Sequence, residues 1–240
     1  GVNGLKVNKK FPNTTFDTIQ INKILKKLKE KKIENVILEA SSHGLNQNRL
    51  DGLEFDIGIF TNLTRDHLDY HKTFKKYFNS KLILFKKLLK KKSYAIYDND
   101  IKISSDLNKI ARLNKIKKLT LGNAKSNFAI IDHQFLKDEQ KITFRYDKRQ
   151  YSFSTKLIGR VQIKNLLMAI MAAMKSKIPL EKILKVTRNI KPVNGRLEKI
   201  GSLYNNGIVI LDYAHTPDAL TTCIKNIKEQ FKLRKINLVF

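Results

Sequence analysis

An α/β fold with a mostly parallel sheet is predicted by three observations. Apolar runs of four to six residues alternate with longer segments of helical period. Three of those runs end in polar residues of the kind that gather beyond the carboxyl edge of such a sheet: Glu39, then Thr61 and Asn62, then Asp212. Lys191-Pro192-Val193-Asn194-Gly195 reads as a linker, dividing residues 1–192, one nearly complete domain, from residues 193–240, the opening of another.

Taken in order, Ile21, Ile24, Leu25 and Leu28 share a helix face, and a strand over Asn35–Ala40 follows. The next strand is Asp56–Asn62, after which a polar turn leads into a long helix from Thr73 to about Lys90. Strands at Ser93–Tyr97 and Ile116–Leu121 flank a helix near Asp100–Leu113. Phe128–Phe153 alternates more loosely, as antiparallel strands with a turn at Lys137–Gln140. Helices over Val161–Ser176 and Leu180–Asn189 come next, with Pro179 at the boundary of the second. Beyond the linker, strands at Leu197–Leu203 and Ile208–Tyr213 precede a helix at Pro217–Phe231, and Ile236–Phe240 reads as a strand in mid-course. With Gly1 in place of a methionine at the start, that ending reads as a chain cut at both ends.

The composition, 42% hydrophobic and 29% charged, suits a chain that buries a core and argues against disorder. The longest apolar stretch is Leu166–Met174, nine residues against the roughly 20 a bilayer demands, so no membrane insertion is expected. No charged-then-apolar leader opens the sequence. Cys223 is the single cysteine, which excludes intrachain disulfides and a cysteine-based zinc site. A cytoplasmic monomer is the expectation.

The formal net charge of +27 admits two explanations. Clustered cations would serve a nucleic-acid binder. Lysine, however, supplies 39 of the 48 cations, and Lys, Ile and Asn, all with A/T-rich codons, make up 88 of the 240 residues. The lysines also spread over many predicted helix faces, and no nucleic-acid motif accompanies them. Biased composition is the favoured explanation, and no nucleic-acid partner is expected.

Four of the five histidines stand in dense polar blocks: Ser41-Ser42-His43-Gly44, Asp66-His67-Leu68-Asp69-Tyr70-His71 and Tyr213-Ala214-His215-Thr216-Pro217. Imidazole beside carboxylate can hold a divalent ion or relay protons. His67 and His71 equally fit a solvated turn that caps the next helix through Asp69. Lys81 tips the balance. On the helix from Thr73, Phe74, Phe78, Phe85 and Leu88 form a stripe flanked by Tyr77, Leu82 and Leu89, and Lys81 is its one charged residue. Burial there favours the neutral, nucleophilic amine, whereas a snorkelling stem would carry the tip to water.

The blocks Glu39-Ala40-Ser41-Ser42-His43-Gly44-Leu45, Phe60-Thr61-Asn62-Leu63-Thr64-Arg65-Asp66-His67-Leu68-Asp69-Tyr70-His71 and Asp212-Tyr213-Ala214-His215-Thr216-Pro217-Asp218-Ala219-Leu220 resemble the Mur ligases, in order and with compatible spacing across essentially the whole chain. More narrowly, they resemble the members that extend UDP-N-acetylmuramoyl-L-alanyl-D-glutamate by a diamino acid, meso-diaminopimelate or L-lysine, in peptidoglycan synthesis. The resemblance implies a P-loop-type central domain followed by the start of a Rossmann-like α/β C-terminal domain. It also implies an ATP-dependent amide synthesis, in which a substrate carboxylate takes the γ-phosphoryl group and an amine then displaces phosphate. Two magnesium ions are implied to neutralise the phosphate charge. Glu39 matches the family's carboxylate on one ion, and His67 its ligand on the other. Lys81, 14 residues after His67, matches a lysine that carbon dioxide converts to a carbamate, an oxygen ligand for magnesium.

By the same resemblance, Asn13, Thr14, Thr15, Ser41, Gln47 and Arg49 match contacts to the UDP-muramoyl-dipeptide, and a guanidinium such as Arg49 suits an anion. Asn165, Arg196 and Asp212 match the adenine, phosphate and ribose contacts of ATP, with Gln162 where the family often has a second asparagine. Thr14 and Thr15 also fit a helix N-cap, and Arg196 a hinge salt bridge. The sequence departs from the family in one respect: it holds no G-x-x-x-x-G-K-S/T phosphate loop, which in the family stands shortly before the segment matching Gly1. The upstream uridine-binding domain and the far C-terminal motif that selects the amino acid are missing as well. These 240 residues alone are therefore expected not to turn over ATP. The competing readings are another ligase of the superfamily, of folylpolyglutamate or cyanophycin synthetase type, a basic nucleic-acid-binding module, and a non-catalytic relative.

Overall fold

The computed structural model describes residues 13–64, 66–136 and 139–239, so the expectations that fall on Gly1, Arg65, Lys137 and Phe240 lie outside it. The described residues form two compact units. One holds the residues through Gly58 with His67–Ala95 and Ser105–Lys117, and the other holds Ile59–Asp66, Ile96–Ser104 and the residues from Lys118 onward. Six strands are hydrogen-bonded in chain order: β1 (Phe55–Phe60), β2 (Leu89–Asp98), β3 (Lys117–Gly122), β4 (Phe128–Phe135), β5 (Gln140–Tyr146) and β6 (Arg149–Thr155). β3 and β4 run parallel, and β4, β5 and β6 form the antiparallel run that the looser alternation predicts. The fold is α/β. No described helix is long and apolar enough to cross a membrane.

In the first unit, helix α1 (Thr18–Glu30) starts where the Asp17 carboxylate accepts from Gln20 N at 2.8 Å, and ends with Lys27 and Lys29 against the negative end of the helix dipole. Ile21 and Leu28 are its buried positions. Ile21 joins Leu45, Leu50 and Leu88 in a core that Leu38 and Ala40 help to cover. Helix α2 (Ser42–Asn46), the single turn α3 (Leu68–His71) and helix α4 (Phe74–Ile83) stand over it.

In the second unit, Asp147 and Lys148, both at positive φ, make the two-residue turn between β5 and β6. Phe128 and Phe144 stack at 5.1 Å, and helix α6 (Arg160–Lys175) buries Ile163, Leu167, Met168 and Met171. Helix α7 (Leu180–Val186) starts after Pro179 and tightens into a 3₁₀ turn over Thr187–Asn189, while helix α5 (Ser104–Leu113), which precedes β3, lies almost wholly in the first unit. The chain then forms the hairpin β7 (Glu198–Ser202) and β8 (Ile208–Leu211), followed by helix α8 (Pro217–Gln230). Thr216 caps α8, and Pro217 occupies its first position, where no N–H is needed. The entry to α6 is capped from α8. Asn226 Oδ1 accepts from Val161 N at 3.1 Å, and Gln230 Oε1 from Gly159 N at 2.8 Å. Gly159 permits this approach, since its φ is +83 and a Cβ there would lie 2.7 Å from Asn226 Cβ.

Three expected elements differ. Asn35–Ala40 is not a strand: Leu38 and Ala40 still turn inward and Ile37 is 97% exposed, but no described strand pairs with the segment, and alternation without a ladder makes no strand. The same reason applies to residues 236–239, where Val239 is 93% exposed. The helix expected to reach Lys90 ends at Ile83, passes through a π-helical turn over Leu84–Leu88, and becomes β2 at Leu89. Gly58 allows that exit, because a Cβ at its place would lie 3.1 Å from the Leu89 side chain.

Asp98, at the end of β2, is 2% exposed; its Oδ1 accepts from Asp100 N at 2.9 Å and its Oδ2 pairs with Lys164 Nζ of α6. Lys164→Met leaves that carboxylate without its cation and is expected to lower stability by about 1–3 kcal/mol. Urea unfolding measures the change, and an unmoved midpoint would mean that water already carries the charge.

Candidate active site

The site of the first unit is built outward from Thr15. Its side chain is buried, and its hydroxyl donates to Glu39 O at 2.8 Å and accepts from Ser41 N at 2.9 Å. That clamp fixes the chain as it enters α2, where Ser41 Oγ accepts from Gly44 N at 3.1 Å and caps the helix. Gly44 faces Thr15 so closely that a Cβ would lie 2.7 Å from Thr15 Cβ and Cγ2. Arg49 donates from Nη1 to Thr15 O at 2.8 Å and from Nη2 to Gln47 Oε1 at 2.5 Å. Gln47 and Asn46 each donate to Tyr70 Oη at 3.1 Å, and these two amides, Asn46 foremost, lower the phenol's pKa. Thr15, Ser41, Gln47 and Arg49 therefore belong to one network, while Asn13 and Thr14 are exposed just before it. Asp17, and not either threonine, caps α1.

The second part of the site is a cluster of rings. His67 and Lys72, with φ of 54 and 62, bracket the single turn of α3 and fold the polar block back on itself. His43, on α2, lies 4.9 Å from His67, 4.2 Å from Tyr70 and 5.4 Å from His71, centroid to centroid. Tyr77 of α4 lies 5.9 Å from His67 and 5.3 Å from His71, and Lys81 Nζ is 5.1 Å from the centre of the Tyr77 ring. His67 and Lys81 thus share one aromatic neighbour.

The expected stripe is shifted. Phe74 is 42% exposed, and the buried residues of α4 are Tyr77, Ser80 and Leu82, with Phe85 and Leu88 following in the π-helical turn. From Leu84 onward the turn breaks the 3.6-residue period, so Phe85 and Leu88 leave the register of Phe74 and Phe78. Lys81 is half-buried beside Tyr77. The Glu39 carbonyl is held by Thr15, and its side chain is exposed. Among the described residues no three His, Cys, Asp or Glu side chains cluster as a metal cage.

His71 is buried, with Nε2 3.0 Å from Ser42 Oγ and Nδ1 3.4 Å from Ser80 Oγ. Burial foremost, then the fields of His43 and His67, lowers its pKa. A cavity of about 660 Å³ opens beside it, bordered by Asn46, Tyr70, Lys72 and Lys76. His43 and His71 stand in the blocks that the sequence marks for metal or proton chemistry, without a role of their own there, and Tyr70 and Tyr77 have no site role in the sequence reading. The available signals were the repeated histidines of the quoted blocks and the four-residue step from Tyr77 to Lys81.

In the second unit, Asp212 follows β8 and accepts from Leu197 N at 2.8 Å and from Ala214 N at 2.9 Å. The Arg196 guanidinium lies 5.0 Å from the Tyr213 ring centre, and no ion pair of Arg196 is present among the described residues. Gln162 of α6 donates to Arg196 O at 3.0 Å, and Asn165, three residues on, is exposed. Burial, with Asp212 alongside, pushes the Cys223 thiol up to about 11, which keeps it protonated and unreactive.

This fold and this arrangement of side chains define a Mur-type ligase domain: the profile of the Mur ligase middle domain matches residues 1–173, and that of the Mur ligase, glutamate ligase domain matches residues 195–240. The chain belongs to the Mur ligase family. It is 37% identical over 230 residues to the UDP-N-acetylmuramoyl-L-alanyl-D-glutamate--2,6-diaminopimelate ligase of Rickettsia bellii (strain RML369-C), covering 95% of this chain and 47% of that protein. It is 35% identical over 254 residues to the UDP-N-acetylmuramoyl-L-alanyl-D-glutamate--L-lysine ligase of Staphylococcus haemolyticus (strain JCSC1435), covering 100% of this chain and 49% of that protein. A solved structure of a UDP-N-acetylmuramoyl-L-alanyl-D-glutamate--2,6-diaminopimelate ligase superposes with a TM-score of 0.77 at 28% identity, over 92% of this chain and 45% of that one. The chain thus spans about half the length of these relatives.

Gly44→Ala drives a methyl into the β-branched Thr15 and is expected to destabilise the chain by about 1–3 kcal/mol, read from denaturant unfolding. A second expectation concerns pH. His71 and His133 both have pKa values lowered chiefly by burial. Below the ordinary histidine value of about 6.5, the unfolded chain takes up protons that the fold refuses, so stability present above that pH is lost as pH falls. Urea unfolding near pH 7.5 and near pH 5.5 should show this loss, and His71→Gln should show less of it.

Proposed function

We propose that this chain is the central part of an ATP-dependent ligase that joins a diamino acid to UDP-N-acetylmuramoyl-L-alanyl-D-glutamate in peptidoglycan synthesis. Lys81 and His67 meeting at one buried ring, Tyr77, is the observation that carries the reading. The relatives named for this reaction, with 2,6-diaminopimelate or L-lysine as the amino acid, support it. In the proposed reaction the substrate carboxylate attacks the γ-phosphorus of ATP, ADP leaves, and the acceptor amine displaces phosphate from the acyl phosphate.

Arg49, already oriented by Thr15 and Gln47, supplies a fixed guanidinium for an anionic group of the muramoyl substrate, with Ser41, Thr14 and Asn13 along the same approach. Two magnesium ions are proposed, one held by the exposed carboxylate of Glu39 and the other by the imidazole of His67, with a carbamylated Lys81 supplying the oxygen donors that so hard an ion prefers. When bound, magnesium neutralises charge on the nucleotide phosphates. The Lys81 amine, free of its proton, adds to carbon dioxide with loss of one further proton, and the nitrogen then carries two oxygen donors. Lys81 is half-buried, with its Nζ 5.1 Å from the centre of the Tyr77 ring, which places the amine at the edge of the cluster that holds His67. Asn165, Arg196 and Asp212 are proposed to hold adenine, phosphate and ribose, with the junction between domains near residues 192–193, between the two profile matches. The reaction is assigned to the cytoplasm, where ATP is made.

The test uses the intact protein with ATP, magnesium, the UDP-muramoyl-dipeptide and either amino acid. Lys81→Ala is expected to cut product formation by at least about 10²-fold, with partial recovery on addition of a short carboxylic acid. Unaltered turnover would remove Lys81 from the mechanism. Phosphate release by these 240 residues alone is expected to be absent, because no phosphate loop is present in the sequence.

A further inference from the structure

We propose that Tyr77 is a positioning residue for this ligase, its ring fixing the separation and orientation of His67 and Lys81. The inference rests on the magnesium-site assignment above. His67 needs such support. It is exposed, stands at a left-handed φ of 54, and begins α3 without a side-chain capping bond. It reaches α4 through a junction that includes Lys72 at φ 62. The Tyr77 ring meets the His67 imidazole edge-on, at 5.9 Å and 77°. One helical turn later, Lys81 sets its Nζ 5.1 Å from the same ring. A lysine stem has several rotatable bonds, and a flat, immobile wall beside it restricts where its tip can go.

The ring itself is held. Tyr77 is 4% exposed, and the buried His71 packs against it at 5.3 Å and 34°. His71 is locked in turn by Ser42 from α2 and Ser80 from α4. Support therefore runs from α2 through His71 to Tyr77, and from Tyr77 to both assigned ligands. A ligand pair held by a shared rigid neighbour keeps its spacing, and a displacement of about 1 Å can cost on the order of 10²-fold in rate. Leucine or methionine at this position would fill the space without supplying the wall.

The experiment compares Tyr77→Leu, Tyr77→Met and Tyr77→Phe with the unaltered intact protein. It reads the magnesium concentration for half-maximal rate, KM for the muramoyl dipeptide, thermal unfolding, and the ¹³C carbamate resonance after labelled bicarbonate is added. The ringless variants are expected to need roughly tenfold or more magnesium, with KM for the dipeptide little changed, and Tyr77→Phe to behave as the unaltered protein. A ringless variant that folds and keeps the normal magnesium requirement overturns the proposal. So does a folded Tyr77→Phe with a raised requirement, since the ring is then still in place. A missing carbamate resonance in the unaltered protein, together with full turnover by Lys81→Ala, would instead overturn the magnesium-site assignment and this inference with it.

Discussion

A single hydroxyl, that of Thr15, holds the first unit's site in register. It reaches 24 residues along the chain to Glu39 O and 26 to Ser41 N, closing a loop whose entropic cost must be met by such contacts and by the core beneath. The closure works because Gly44 has no Cβ to oppose it. Once α2 is seated, Ser41, His43, Asn46 and Gln47 take their places along one short helix and its cap. Arg49 then returns to the Thr15 carbonyl, so the network ends where it began. Glu39 acquires a fixed backbone by the same contact without acquiring a fixed carboxylate.

The electrostatics of this neighbourhood follow from crowding. Three imidazoles, the Lys81 amine and the cations at the cavity rim occupy a small region with few carboxylates. His71 responds by staying neutral, and Tyr70 is made more acidic by its two amide donors. Such a region gains most from an anion arriving with its charge distributed over several oxygens, as phosphates and carboxylates provide. The chain's total charge of +27 is a different matter, because most of its lysines are remote from these groups in sequence.

Sequence carried the α/β class and most element positions because helices and strands here keep their periods, and because Pro179 and Pro217 mark boundaries, whereas the cap of α1 falls to Asp17 and not to the threonines before it. It carried the blocks around His43 and His67 because those residue types are rare in so basic a chain. What it could not carry was partnership. Asn35–Ala40 has a strand's alternation and no pairing strand, and nothing in a linear pattern records that. The π-helical turn at Leu84–Leu88 was illegible for a related reason, since Phe85 and Leu89 at this turn pack closely on Gly58, about 30 residues earlier in the chain. With the period broken there, Phe85 and Leu88 leave the stripe expected around Lys81, which stands beside Tyr77, four residues earlier on the same helix. The Asp147-Lys148 turn lacks the usual glycine and so gave no signal of its positive φ values.

The caps that α8 lends to α6 have a thermodynamic consequence. Gly159 and Val161 owe their amide partners to Gln230 and Asn226, and Arg160 pairs with Glu229 at 2.7 Å. The two helices lie in segments matched by different family profiles, yet the first turn of one is completed by side chains of the other. Any withdrawal of α8 would hand those amides to solvent or to an incoming anion, turning a closed helix entrance into a receptive one. The stability of the α6 entrance is thus inherited from a neighbour about 65 residues away in the chain.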